Sequence, residues 1–305
     1  MMFKTRFFRV ANGLFLLFLL VQLLPNRISK ADAPGYAVGF AVIIEAALLI
    51  ASVLAKKKWG LDLVADIASF LYALLIAWTL ATAKFNVMRE MLFPPPGIVF
   101  RQLAQDVPQL GRHIGSSLAL IAQGYALALA VSLPLGLVLG YSARIGSAAT
   151  YVAKFLGAIP PVVYIPYGIA LLPSFRSVSV LVIFLASFWP ILASTMSGVL
   201  LVEQRIVDQA RVLNVGRVAM LFRIILPAAL PQVFIGCSQG LTVSFILLTS
   251  AEMIGARSGM GFYVKNYSDL GNYTRTIVGV LVIGIVISLA FFAFNKLQKF
   301  FLRWR

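Results

Sequence analysis

Val207-Asp208-Gln209-Ala210-Arg211-Val212-Leu213-Asn214-Val215-Gly216-Arg217-Val218-Ala219-Met220-Leu221-Phe222-Arg223-Ile224-Ile225-Leu226-Pro227 is a partly polar interlude between two long apolar stretches. Asp208, Arg211, Asn214 and Arg217 recur in it at three-residue spacing. Val207, Ala210, Leu213 and Val218 supply an apolar stripe, and the two patterns together predict a short amphipathic helix lying beside a membrane. A second stretch, Met220 to Leu226, leads to Pro227-Ala228-Ala229-Leu230-Pro231, whose prolines are expected to end the helix and redirect the chain into the next apolar segment. On this pattern alone, an ordinary interfacial helix between two spans accounts for the interlude.

Working outward, the 305-residue chain is 61% hydrophobic and only 12% charged, with a mean hydropathy of +0.94. That is far above the apolar share of a soluble domain, and the apolar residues run unbroken, as in Leu14 to Leu24 and Ala37 to Leu54, so they need lipid or neighbouring helices. The formal charge of +16 does not point to nucleic acid, because Lys and Arg sit in short clusters between apolar segments, as juxtamembrane anchors do. Cys237 lies inside an apolar stretch, and His113 has no Cys, Asp or Glu at ligand spacing, which argues against disulfides and conventional metal sites. Met1 to Leu24 has the charge pattern of a signal peptide, with Lys4, Arg6 and Arg9 ahead of an apolar core. No small-x-small cleavage site follows at Gln22-Leu23-Leu24-Pro25-Asn26, so it reads as a retained first span.

A helix needs about 20 apolar residues to cross the hydrocarbon core. Eight segments qualify: 8–25, 35–55, 63–83, 113–141, 150–172, 177–200, 231–254 and 275–295. An even count puts both termini on one side. With the termini cytoplasmic, the inner segments hold 16 of the 26 basic residues, namely Lys4, Arg6, Arg9, Lys56, Lys57, Lys58, Arg144, Lys154, Arg205, Arg211, Arg217, Arg223, Lys296, Lys299, Arg303 and Arg305. Two connections are then long: an outer one at 84–112, where Phe93-Pro94-Pro95-Pro96-Gly97 imposes extended backbone, and the inner one at 203–231.

The residue order of the inner connection resembles the loop that defines permeases of binding-protein-dependent ABC importers. That pattern is Glu-Ala-Ala, three residues, Gly, nine residues, Ile, one residue, Leu-Pro. Here the positions read Asp208-Gln209-Ala210, Asn214, Ile224 and Leu226-Pro227, with every interval kept. Asp208 keeps a carboxylate one methylene shorter, and Asn214 is the side chain that best tolerates the left-handed conformation Gly often supplies between two short helices. Ile159-Pro160-Pro161 with Ile165-Pro166, Phe188-Trp189-Pro190-Ile191, Ala251-Glu252-Met253-Ile254 and Ser258-Gly259-Met260-Gly261 are similar to recurrent segments of the nitrate, sulfonate, taurine and bicarbonate branch.

The resemblance covers about Phe93 to the C-terminus. It implies an all-α polytopic membrane protein whose residues 93–305 form a type I ABC importer permease core, with a cytoplasmic coupling loop at 203–231. Residues 1–92 would hold about three N-terminal transmembrane helices and the start of the outer loop. The branch usually has about six spans, so the first pair is expected as a peripheral addition. Asp208, Gln209, Ala210, Arg211, Asn214, Gly216, Leu226 and Pro227 would couple to the ATPase. The implied partners are a second permease copy, a cytoplasmic ABC ATPase dimer, a periplasmic or lipid-anchored solute-binding protein and membrane lipid, in a bacterial inner membrane. ATP and Mg would belong to the partner ATPase and no cofactor to this chain, which has no Gly-rich Lys-Ser/Thr loop and no catalytic set of its own. The implied cargo is a small anion such as a sulfonate or nitrate, although relatives also import aromatic acids and uncharged vitamin precursors. The rival reading, a secondary active transporter, calls for inverted repeats, and the halves show no self-similarity.

Glu252 follows Thr242, Ser244, Thr249 and Ser250 along one helix. It either lines the gate or sits near the outer helix end holding a neighbouring helix or loop. Ser187, Gln239, Ser244 and Ser250 are pathway candidates, the first three as donors to an oxyanion, unless their hydroxyls bond their own backbone. Pro134, Gly136, Pro160-Pro161, Pro166, Gly168 and Pro190 are either hinges for alternating access or static kinks. Glu45 is expected in a helix-packing contact, and Asp66 as a partly hydrated helix-start residue near Lys56, Lys57 and Lys58.

Overall fold

The structure is a computed structural model that describes residues 6–27, 33–54, 58–87 and 91–303, nearly all of them helical. Lys4, Lys56, Lys57 and Arg305 of the expected inner cluster lie outside the described residues, as do the side chains of Arg6, Arg9 and Lys58. The helices are α1 (Arg6–Leu23), α2 (Pro34–Leu54), α3 (Lys58–Thr79), α4 (Pro96–Gly140), α5 (Ala143–Gly157), α6 (Ile165–Leu171), α7 (Phe175–Leu200), α8 (Gln204–Val212), α9 (Arg217–Ala219), α10 (Leu226–Gly255), α11 (Met260–Asp269) and α12 (Tyr273–Phe301). The outward faces are apolar: Ile43 is 66% and Phe70 66% exposed. Hydrocarbon rather than water is the medium such a surface suits.

Among the described residues six helices are long and apolar enough to cross a membrane, and a seventh crossing results if α5 and Pro161–Leu171, bent by 68°, count as one. The expected eight spans are therefore not confirmed. The apolar part of α1, Val10–Leu23, falls short of the same length, and segment 150–172 breaks at Pro160-Pro161 into a bent pair. Both long connections are also corrected. Residues 84–112 are not one loop: Pro94 and Pro95 are non-helical, but Pro96 opens α4, because the first helical position needs no N–H donor. In 203–231 the prolines do not end a helix. A π-helical turn at Met220–Ile225 runs directly into α10, with Pro227 in its first turn and Pro231 inside it. The wider i→i+5 turn, closed by Leu226 N–H on the Leu221 carbonyl, places the missing proline donor where the bonding register is already changing.

Two compact units divide the chain, one of residues 1–109 with 266–280, the other of 110–265 with 281–305. In the first, small residues on α2 and α3, Ala37, Ala41, Ala65 and Ala68, are buried and let helices approach. Glu45 accepts a 2.8 Å hydrogen bond from the Tyr72 hydroxyl, the packing contact expected of it, whereas Asp66 is exposed. Lys84, at the end of a π-helical turn (Leu80–Lys84), is buried and its ammonium bonds the carbonyls of Gln22 and Leu24 and Asn26 Oδ1, neutralising the open C-terminal end of α1. Asp106 of α4 grips Arg275 of α12 in a two-pronged ion pair at 2.8 and 3.1 Å.

In the second unit α7 and α10 form the central pair. A Cβ on Gly236 would come within 2.8 Å of the Pro190 carbonyl oxygen, and one on Gly240 within 3.1 Å of the Ser187 Cα, so glycine is what permits backbone contact there. Without a hydrophobic driving force between helices in lipid, such close dispersion contact is the main source of adhesion.

Candidate functional site

Helix α8 carries Val207 to Val212, the first part of the polar interlude. Val207 and Ala210 are buried in a cluster with Ile225, Ala229 and Val233, which fixes one face of α8 against the start of α10. Leu213 and Val218, expected on the same stripe, are instead 77% and 71% exposed. The stripe stops because the helix stops. Asn214 takes φ +54°, Val215 N–H bonds the Ala210 carbonyl and Asn214 N–H bonds the Arg211 carbonyl, the paired bonds of a left-handed C-cap. Val215 then packs back on the cluster that contains Ala210. The remaining face is open: Arg205, Asp208, Gln209, Val212 and Leu213 line one shallow depression. Arg211 pairs with Asp208 at 3.1 Å and Gln204 donates to the same carboxylate oxygen. Being half exposed, that pair adds little to stability and leaves both charges available to a partner. Gly216 opens α9 with ordinary dihedrals and open space around its Cα, while Leu226 and Pro227 are half-buried at the foot of α10.

At the far end of α10, 30 residues and therefore about 45 Å away, the backbone of the Ser258–Gly261 turn is held by three side chains in succession. Gly259 N–H donates to His113 Nδ1 at 3.1 Å, Met260 N–H to Ser117 Oγ at 2.8 Å and Gly261 N–H to Glu252 Oε2 at 2.8 Å. Ser117 Oγ in turn donates to Glu252 Oε1 at 2.6 Å, and the Ser116 and Ser258 hydroxyls meet at 2.9 Å. These are the orphan donors at the start of α11, so α4 and α10 jointly cap it. Gly259 has φ +127°, and a Cβ there would collide with the Glu252 carboxylate, so glycine is required on both counts.

Of the two readings of Glu252, the geometry matches the one in which it holds a loop: it is 1% exposed with both oxygens engaged. Ser187 and Ser244 face each other at 2.6 Å between α7 and α10, and each also reaches its own helix backbone, at Ile183 O and Gly240 O. Two hydroxyl protons serve three contacts, which leaves no free donor for cargo. Ser250 bonds the Ile246 carbonyl. Gln239 is different: it is exposed and lines a recess with Lys154, Trp189, Ser194 and Gln232. Sequence reasoning missed Ser117 and gave His113 no role, since their partners lie 143 and 146 positions away and no local spacing encodes such contacts. Lys84 was missed too; a lone Lys ending an apolar run was its only signal.

A chain of the inward-facing MetNI methionine ABC transporter superposes with a TM-score of 0.54 at 15% identity, covering 65% of this chain and 98% of that one. At that identity the likeness establishes the fold: an importer-permease helical bundle. Residues 132–305, more than half of the chain, match the profile of the binding-protein-dependent transport system inner membrane component, and the chain belongs to that family. It is 28% identical over 258 residues to the taurine transport system permease protein TauC of Escherichia coli (strain K12), covering 82% of this chain and 93% of that relative. The nitrate import permease protein NrtB of Synechocystis sp. is 30% identical over 177 residues, 58% of this chain and 64% of the relative. The bicarbonate transport system permease protein CmpB of Synechococcus elongatus is 28% identical over 172 residues, 56% and 62% respectively. The chain thus spans less than two thirds of the length of the nitrate and bicarbonate relatives. It is a multi-pass, non-catalytic permease subunit of an ATP-driven importer, working with a partner ATPase that hydrolyses ATP and with a solute-binding protein. These likenesses support the importer over a secondary transporter.

Proposed function

We propose that two copies of this chain form the translocation pathway for a small organic or inorganic anion such as a sulfonate or nitrate, in a bacterial inner membrane with both termini cytoplasmic. The taurine, nitrate and bicarbonate permeases among its relatives support that cargo class. Asp208, Gln209, Ala210, Arg211, Asn214, Gly216, Leu226 and Pro227 form the coupling segment that docks on the cytoplasmic ATPase dimer, where ATP and Mg reside. The observation that carries this is α8: one face is locked to α10 through Val207 and Ala210, the other is open, and an unbroken helical path leads from Arg217 to Gly255. Displacement at α8 is therefore passed stiffly along α10. In the pathway Gln239 faces the cargo, while Ser187, Ser244, Ser250 and Glu252 set helix positions. A periplasmic or lipid-anchored binding protein delivers the cargo, and lipid surrounds the apolar faces.

Charge reversal at the coupling segment tests the reading. The D208K/R211E variant is expected to insert normally but to lose co-purification with, or solute-dependent stimulation of, the ATPase encoded beside it. Unchanged transport by that variant would sink the docking assignment. Native mass spectrometry of the intact complex should show two copies of the 33.2 kDa chain.

A further inference from the structure

A cleft of about 740 Å³ opens beside the cap of α11, between the start of α7, the end of α10 and α4. Its polar lining is one-sided. Arg176 and Arg257 stand on its walls with Ser116, Ser174, Ser179 and Ser258, and no carboxylate lines it. Both guanidinium groups are exposed, and among the described residues neither has a carboxylate partner. Pro173, Ser174, Phe175 and Arg176 line the cleft where α7 begins, and Ser174 satisfies only the Ser177 N–H, so other first-turn donors of a 26-residue helix remain open there. Gly255 and Ala256 bring the opposite end of α10 to the same cleft. That end carries about half a negative charge, against two full positive charges from the arginines.

We propose that this cleft is a receiving subsite for a small oxyanion, bound between Arg176 and Arg257 and hydrogen-bonded by the Ser116 and Ser258 hydroxyls. Guanidinium donors suit the planar or pyramidal oxygen arrays of nitrate and sulfonates, and hydroxyls complete the shell without adding charge. Ser116 and Ser258 already touch, and they flank the residues that hold the Gly259 turn. An anion that draws these hydroxyls towards itself acts directly on that turn. The inference rests on the importer reading for its cargo class and adds the place where cargo first meets the permease.

The full chain in phosphatidylcholine nanodiscs, titrated calorimetrically with nitrate, sulfate and taurine, provides the test. Saturable binding of at least one is expected with Kd on the order of 1 mM. Arg176→Gln and Arg257→Gln should each weaken it roughly tenfold, the usual worth of a charge-assisted hydrogen bond, and Lys299→Gln should leave it unchanged. No saturable binding by the wild type, or equal binding by R176Q/R257Q, overturns the subsite. If phosphatidylglycerol nanodiscs abolish binding in an arginine-dependent way, the occupant is a lipid headgroup and the proposal also fails. In the assembled importer, the arginine variants should raise the transport KM with ATPase association intact. A wild-type complex that binds anion in nanodiscs but never imports would instead overturn the importer reading and leave the subsite standing.

Discussion

Asn214 and Gly259 both adopt backbone conformations that side chains rarely tolerate, and they differ in what a substitution meets. At Asn214, with φ +54°, the surroundings are open, so the constraint is local. A β-branched residue there costs about 1–2 kcal/mol, so N214V should weaken ATPase association by roughly tenfold while N214G retains it. Gly284→Ala, outside the coupling segment, is the matched control, since nothing lies within 4 Å of its new methyl, and co-purification should be unchanged. At Gly259 the Cβ meets the Glu252 carboxylate, so G259A is expected to lower thermal stability sharply in a melting assay. Removing the acceptor instead, E252A strands the Gly261 N–H and deprives the Ser117 hydroxyl proton of its acceptor, at about 1–3 kcal/mol for each buried group. A melting temperature of E252A equal to the wild type would show that the capped turn is not structurally coupled to α10. The left-handed turn at Asn214 was legible because Asn in a Gly position between two short helices has a local physical meaning. The cap of α11 was not, because Ser117 and Glu252 stand 135 positions apart and only the folded chain joins them.

At the scale of the element, the path from Arg217 to Gly255 couples α8 to the membrane through its rotational register. The π-helical turn at Met220–Ile225 holds one extra residue relative to an α-helix. Inserting one alanine after the exposed Phe222, in a turn that already accommodates an extra residue, would rotate everything before it by about 100° relative to α10. Val207 and Ala210 would then leave their cluster and the open face would turn away. The variant carrying the added alanine is therefore expected to enter the membrane and resist proteolysis across α10 yet lose ATPase stimulation, and retained stimulation would show that register does not matter. The length of α4 escaped sequence reading for a related reason. Counting apolar residues stops where charges begin, yet Arg101, Asp106 and Arg112 all lie within this 45-residue helix. Asp106 is acceptable there because Arg275 neutralises it, a partner 169 positions away. Segment 150–172 erred in the opposite sense. Its apolar content was continuous, but two adjacent prolines deny the backbone donors a straight helix would need.

On the scale of the whole molecule, the two compact units differ from the division at 92/93 drawn by resemblance. The first unit extends to Gln109 and includes 266–280, whereas the coupling segment, the α7–α10 pair and the cap of α11 belong to the second. Three polar contacts of the first unit are made within it: Tyr72 on Glu45, Lys84 on the end of α1, and Asp106 on Arg275. Removing residues 1–92 therefore takes away both partners of the first two interactions and neither partner of the third. No buried charge is orphaned, which is the costly outcome when one member of such a pair is lost, at about 3–5 kcal/mol. What the truncation does expose is the Phe100 ring, stacked on Phe40 at 4.2 Å, and the Pro94 carbonyl, which accepts from Trp78. A chain beginning at Phe93 should accordingly insert, bind the ATPase and support solute-dependent hydrolysis within about twofold of the full chain, with a lower melting temperature from the lost aromatic contacts. By contrast, D106A within the truncated chain removes the two-pronged ion pair of Arg275 and should lower accumulation, while D106A/R275A restores part of it. Loss of ATPase coupling by the truncated chain, with insertion intact, would assign the N-terminal helices a part in transport itself.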